Sequence, residues 1–334
     1  MSSALRVAFT GASSFLGQNL IGLLEESRHV ERLVALDLVP PPTAGKKTRF
    51  AELDLTRLDA AGRAADILRA EGVSVLVHLA FASKPSHAEA WFHEVEGVGT
   101  MHALTAARAA KVRKVVVTSS TLLYGAHPSN PNFLTERHPL RARKSQFFTD
   151  KIAAEAAAKE LGAEGATLVT VLRTAPILGP TVDNLVTRYL SQPVVPTLMG
   201  FDPLWQLVHE VDALAAYKLA ILRDVPGVFN VAGDGVLPLS TIIKLAGRVA
   251  VPLPGPLVAR ALGALWTFHM GFAPPVLLDY LRFVCVADAV MARERMGFVP
   301  TYSTREAVLD FAGVQRLREA RLLHDEGLSR GGAR

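Results

Sequence analysis

Arg6-Val7-Ala8-Phe9-Thr10 is an apolar run that passes straight into Gly11-Ala12-Ser13-Ser14-Phe15-Leu16-Gly17 and then into a helix-forming stretch, Gln18 to Glu26. A second apolar run, Leu33-Val34-Ala35-Leu36, follows and ends at Asp37. A buried strand, a glycine-bounded turn and a helix whose N-terminus faces the strand end form an anion site, because the first helical N–H groups have no partner and the helix dipole is positive there. Gly11 permits the tight turn, and Gly17 lets the helix pack closely on the strand. Gly11, Ser13, Ser14, Phe15, Leu16 and Gly17 are therefore the candidate cradle for a dinucleotide's pyrophosphate. Asp37 lies about twenty residues beyond Gly17, where a carboxylate accepts the adenosine ribose hydroxyls and repels a 2′-phosphate, which favours NADH over NADPH. Ser14 departs from the pattern, standing where a middle glycine would let backbone approach phosphate.

Working outward, 334 residues allow one large α/β domain or a domain with a smaller lobe. Half the residues are hydrophobic and 20% are charged, so a sizeable core can be buried, and the positive mean hydropathy hints at an apolar pocket or surface. The net charge of +5 comes from scattered basic residues, such as Lys46-Lys47 and Arg141-Ala142-Arg143-Lys144, which suits a solvated surface and no nucleic-acid partner. Cys285 is alone and cannot form an internal disulfide, which fits a reducing cytoplasm. The first strand starts without a signal-peptide pattern, so a cytoplasmic location is expected. The most apolar stretch, Leu257 to Val284, is broken by Arg260, His269, Pro274-Pro275, Asp279 and Arg282 and reads as no membrane span.

Further strands are expected at Arg49 to Leu55, Val73 to Ala80, Lys114 to Ser120 and Ala166 to Arg173, with helices at Leu58 to Arg69, Ser86 to Ala110 and Ser145 to Leu161. Continuous apolar strands alternating with helices predict a doubly wound parallel sheet covered on both faces, an α/β fold of the Rossmann type. Residues 1–175 read mainly as this dinucleotide-binding domain and 176–328 mainly as a smaller substrate lobe interleaved with the sheet, with a flexible tail at 329–334.

The chain resembles the extended short-chain dehydrogenase/reductase superfamily, in its NAD-dependent epimerase/dehydratase branch, from Leu5 to Asp310. The residues that carry the resemblance are Thr10-Gly11…Gly17, Asp37, Asp54-Leu55, His78-Leu79-Ala80, Gly99-Thr100, Thr118-Ser119-Ser120…Tyr124-Gly125, Lys151, Leu172-Arg173…Gly179-Pro180 and His209…Asp212. It implies that Asp54 and Leu55 bracket an adenine and that Leu79, Ala80 and Phe81 line the ribose–phosphate path. It also implies that Lys151 holds the nicotinamide ribose, with Thr118 and Pro176 completing the NAD site. Homodimerisation through helices Thr100 to Ala110 and Thr149 to Leu161 would follow the family habit.

The reaction implied is hydride transfer assisted by a tyrosine whose pKa is lowered by a lysine one helical turn on, the two lying on one helix face. Here Lys151 is present but Phe147 stands at the tyrosine position, and a phenyl ring carries no proton. Ser120 matches the carbonyl-binding hydroxyl, or else is a strand-end serine bonded to backbone. Tyr124 is either a structural tyrosine or a pocket residue acting as replacement acid, and Thr149 is another candidate donor. Asp150 lies on a different helix face from Lys151 and reads as solvated. On the substrate side, Pro176, Leu178 and Trp205 replace an asparagine, a tyrosine and an arginine that nucleotide-sugar enzymes carry, and Ser83 and Phe147 complete the expected pocket. Losing an amide, a phenol and a cation argues against a diphosphate, since buried phosphate requires charge-assisted donors. His209 and Asp212 read as packing residues. Leu257, Leu262, Leu265, Trp266, Phe268, Met270, Phe272 and Val276-Leu277-Leu278 suit plain core, the roof of a lipophilic site or contact with a membrane surface. No metal-ligand spacing is present. The leading expectation is a nicotinamide-dependent reductase of a lipophilic, aromatic or polycyclic carbonyl-type substrate. A sugar-nucleotide epimerase/dehydratase and a non-catalytic dinucleotide-binding protein are the alternatives.

Overall fold

The computed structural model describes residues 4–82, 87–142, 145–269 and 274–331, apart from the side chains of 89 and 318–331. The first half runs β1 (Leu5–Thr10), α1 (Phe15–Glu25), β2 (Val30–Asp37), β3 (Thr48–Glu52), α2 (Ala60–Ala70), β4 (Val75–His78), α3 (Glu89–His93), α4 (Gly99–Ala109), β5 (Lys114–Ser120), α5 (Gln146–Ala163) and β6 (Leu168–Thr174). It continues with β7 (Ile177–Leu178), α6 (Leu185–Ser191), β8 (Val194–Leu198), β9 (Leu204–Trp205), β10 (Val208–His209), α7 (Glu210–Leu222) and β11 (Gly227–Val231). Last come β12 (Leu237–Pro238), α8 (Leu239–Leu245), β13 (Val249–Leu253), α9 (Gly255–Thr267) and α10 (Thr304–Gly331).

Successive side chains of a strand leave opposite faces, so a strand covered on both sides must be apolar throughout. In β1, Val7 and Phe9 pack with α1 and α7, while Ala8 joins the cluster on the other face with α2 and α4. The seven strands are all parallel, in the order β11-β6-β5-β4-β1-β2-β3, which is the doubly wound sheet expected. Connections reverse direction between β1 and β4, so the strand ends there form the crevice in which such sheets bind ligands.

Two differences from the sequence reading matter for the site. The seventh strand, β11, comes from the segment assigned mainly to the lobe; Asn230 interrupts its apolar run, yet that side chain is wholly buried. The helix expected from Ser86 to Ala110 divides around a π-helical turn, Glu94–Val98, before α4. Gly97 in that turn sits where a Cβ would lie 3.2 Å from the His93 ring, and such wide turns commonly shape functional sites. The lobe is formed by α6, α8, α9 and the short strand pairs β7–β10, β9–β12 and β8–β13 around Leu190, Val195, Ile242, Ile243 and Phe311. α10 extends to Gly331 and so reaches into the expected tail. Among the described residues, no helix is long and apolar enough to cross a membrane.

Candidate active site

The turn after β1 is built as its composition requires. Gly11 has φ +67°, and a Cβ there would meet the backbone of Leu79 and Ala80 at 2.7 Å, so the loop lies directly on the end of β4. A Cβ on Gly17 would lie 2.3 Å from the Gly11 carbonyl oxygen. Ser14 is the N-cap of α1 and its Oγ accepts the Gly17 N–H at 3.1 Å. Its φ of −63° needs no glycine, so the serine occupies the position without backbone strain and saturates one N–H that an anion would otherwise use. Asp37 at the end of β2 accepts the Ser13 N–H and hydroxyl, both at 2.8 Å on Oδ2, and thereby braces the loop. Asp54 accepts Thr56 N–H and hydroxyl, and these bonds hold its carboxyl below the usual range. Leu55 is buried beside α4, and Leu79 is buried next to the half-buried Ala80 and Phe81. His78 locks this end of the sheet. Thr100 donates to the Glu96 carbonyl, so His78 Nε2 donates to Thr100 at 2.8 Å and Nδ1 accepts from Thr10 at 2.6 Å. Burial pushes His78 down to about 3, keeping it neutral.

The start of α5 faces this crevice. Phe147 and Lys151 share one helix face, and Lys151 Nζ lies 4.5 Å from the centroid of the Phe147 ring and 5.1 Å from that of Phe81. Nζ donates to Glu96 Oε1 at 2.7 Å and to the Ala82 carbonyl at 3.1 Å. The two side chains are 10% and 1% exposed. Burial lowers the pKa of Lys151 and raises that of Glu96, each opposed by the charge of the other. Glu96 was not among the expected site residues; only the π-helical turn brings it inward, and an isolated acid in a helical stretch carries no signal of that. Asp150 corrects the expectation of a solvated carboxylate. It is 4% exposed, 2.8 Å from His93 Nδ1, and accepts the Gln146 amide at 2.6 Å.

Ser120 ends β5 and caps the next turn, its Oγ accepting the Leu122 N–H at 3.2 Å, which leaves the hydroxyl proton for another acceptor. Tyr124 does not serve as a replacement acid. It is 1% exposed; its hydroxyl donates to Asn230 Oδ1 and accepts from Arg173, both at 2.8 Å, and burial raises its pKa. Thr118 is half-buried, its hydroxyl paired with Tyr217 of α7. Thr149 donates back to the Ser145 carbonyl. Ser83 lies outside the described residues.

Beyond the ends of β5 and β6, an apolar cavity of about 150 Å³ opens between sheet and lobe. Its lining includes Leu122, Pro176, Tyr189, Trp205, Leu262 and Cys285 and contains no charged residue. The polar groups of its aromatic walls are committed elsewhere: Trp205 donates to the Tyr280 carbonyl, Tyr280 to the Leu122 carbonyl and Tyr189 to the Pro196 carbonyl. Burial pushes the Cys285 thiol up to about 12, so it is inert at neutral pH. Phe147 packs against the same buried cluster as Leu122, Leu277, Phe283 and Cys285, four residues that line the cavity. Pro176, expected against the cofactor, and Trp205 both line it. Leu178 does not; it is fully buried in the lobe core, where β7 pairs with β10. His209 and Asp212 act in packing, as expected: His209 stacks on Tyr302 and reaches Asp310 at 3.1 Å, while Asp212 accepts the Thr301 and Tyr302 N–H groups. Among the described residues, no cluster could hold a metal ion.

A sheet, glycine turn and crevice of this kind define a dinucleotide-binding class. A model of the NAD dependent epimerase/dehydratase family matches residues 7–232, and the chain belongs to that family. It is 34% identical over 311 residues to the uncharacterized protein Rv0501 of Mycobacterium tuberculosis H37Rv, covering 91% of this chain and 82% of that one. It is 26% identical over 313 residues to a Streptomyces protein named 3-diazoavenalumate denitrifying reductase, covering 89% of this chain and 97% of that one. Among solved structures, MoeE5 in complex with UDP-glucuronic acid and NAD superposes with a TM-score of 0.72 at 24% identity, over 94% of this chain and 99% of MoeE5.

Proposed function

We propose that the protein is an NADH-dependent reductase of a lipophilic, aromatic or polycyclic substrate bearing a carbonyl-type oxygen. The observation that carries this reading is the uncharged cavity between sheet and lobe, whose aromatic walls have no polar group to spare. A nucleoside diphosphate buried there would lack the charge-assisted donors it requires. The similarity to a protein named a reductase supports reduction as the chemistry.

The residues fit NAD: the Gly11 turn and α1 N-terminus suit a pyrophosphate, and Asp37 suits a ribose diol. A reduced nicotinamide bound here supplies a hydride. Lys151 has one ammonium proton beyond those given to Glu96 and Ala82, available for a ribose hydroxyl. Ser120 donates its hydroxyl proton to the substrate oxygen and so orients it. Phe147 presents an apolar face and carries no ionisable proton, so the proton that completes the reduction comes from solvent or from the substrate's own chemistry.

The test begins with the nucleotide released on denaturation, then titrates the emptied protein with NADH and NADPH, then offers lipophilic quinones and aromatic ketones. Exchangeable NADH, consumed by such acceptors, is expected; Phe147→Tyr should raise turnover about tenfold or more by restoring a general acid. Tightly held, non-exchangeable NAD with no acceptor turnover would sink the reading in favour of an epimerase-type cycle. Asp37→Ala is expected to weaken NADH about tenfold while affecting NADPH much less, because the repulsion of a 2′-phosphate disappears along with the ribose contact. Equal losses would mean that Asp37 acts only by bracing Ser13.

A further inference from the structure

α9 is apolar on both sides. Its inner side supplies Val258 and Leu262 to the cavity. Its outer side presents Leu257, Leu265 and Phe268, which are 59%, 40% and 74% exposed, with the exposed Ala261 and Ala264 between them. Spacings of four, eight and eleven residues place these on one stripe of the helix. Beside it stand Met199 and Phe201, 58% and 44% exposed; the Met199 N–H donates to the carbonyl of Leu253, two residues before α9. Acidic groups are few but not absent: the exposed Asp202, next to Phe201, accepts the Ser240 N–H and hydroxyl. From Gly235 to Leu278 the chain has no Asp or Glu but carries Lys244, Arg248 and Arg260, and Arg260 lies exposed on α9 itself. An apolar stripe carrying Arg260, on a protein of net charge +5, complements an anionic lipid surface, where apolar side chains enter the headgroup–acyl boundary and cations pair with the headgroups.

We propose that α9 docks the protein peripherally on an anionic membrane, bringing the cavity that it covers up against the lipid phase. Docking does not depend on the reductase reading, but a lipid-dissolved substrate would reach the cavity most directly this way.

The experiment floats the purified full chain with vesicles of phosphatidylcholine alone and with phosphatidylglycerol added. Co-flotation with the anionic vesicles, weakening as salt is raised, is expected. The triple variant Leu257→Asp/Leu265→Asp/Phe268→Asp should lose binding by about tenfold or more, and Arg260→Glu should weaken it, with thermal unfolding and NADH titration unchanged. Phe268→Asp alone, at the most exposed position, provides the same test should the triple variant fold poorly. Absence of flotation overturns the proposal, as does flotation that the variants leave intact. A wild type that fails to float but is a dimer, and which the variants convert to monomer, would also overturn it and assign the stripe to a second copy.

Discussion

Lys151→Met is expected to weaken NADH binding about ten- to a hundredfold, the worth of one hydrogen bond to a charged group, and also to cost about 3–5 kcal/mol of stability. The stability loss arises because Glu96, 1% exposed, keeps among the described residues only the Ala82 N–H once its ammonium partner is gone. Burial raises the pKa of Glu96. A carboxyl whose folded pKa lies above its unfolded value stabilises the fold below the unfolded pKa, and that contribution is lost as pH rises through the folded one. The deficit of the variant should therefore be small near pH 4, about the ordinary glutamate pKa, and widen towards neutrality. Adding Glu96→Gln should restore most of the stability, since an amide can still accept from Ala82, but none of the NADH affinity. Urea unfolding at several pH values and NADH titration check the two effects separately. Unchanged affinity in Lys151→Met would place the lysine outside the cofactor site; stability unrescued by Glu96→Gln would assign the loss to packing against Phe81 and Phe147.

The second large effect concerns the polar core under the site. Glu155→Ala is expected to destabilise the protein by about 3–5 kcal/mol, a large share of the roughly 5–15 kcal/mol typical of a fold. Glu155 and Arg173 are each 1% exposed, and the carboxylate accepts Arg173 Nε at 3.0 Å and the Ser119 hydroxyl at 2.7 Å. Without it the guanidinium stays buried with only Tyr124 and the Glu136 carbonyl. The exposed partner Lys159 is the control: Lys159→Ala should cost under about 1 kcal/mol although it touches the same carboxylate at 2.6 Å. Burial alone would push Glu155 up, but the hydrogen bond and charge of Arg173 hold it below its usual value. Its contribution is therefore present above the unfolded pKa and lost as pH falls through the folded one, so this part of the acid sensitivity should vanish in Glu155→Ala. Equal losses for Glu155→Ala and Lys159→Ala in urea would refute the assignment of the energy to the buried pair.

Both predictions rest on partners that no local pattern announces. The strand–turn–helix of residues 6 to 26, the acid at Asp37, the lysine at 151 and the phenylalanine at 147 are legible because each is specified by near neighbours: apolar runs, glycines where a Cβ would collide, and side chains one helical turn apart. The likeness of the chain to its family was visible for the same reason. Tyr124 shows the limit. Read locally, it is a tyrosine four residues beyond a strand-end serine, available for chemistry; in the fold its hydroxyl is taken by Asn230 and Arg173, 106 and 49 residues away.

The sequence by itself determined the doubly wound sheet, the glycine turn and the Phe147–Lys151 pair on one helix face, because strand burial, turn sterics and helical spacing act over a few residues. Only the tertiary structure decided that Glu96 holds Lys151, that Asp150 is buried against His93, that β11 completes the sheet and that Pro176 and Trp205 share an uncharged cavity. Those outcomes depend on desolvation and on pairing between distant segments. A charge's surroundings, rather than its position in the chain, set whether it is solvated, paired or free to meet a ligand.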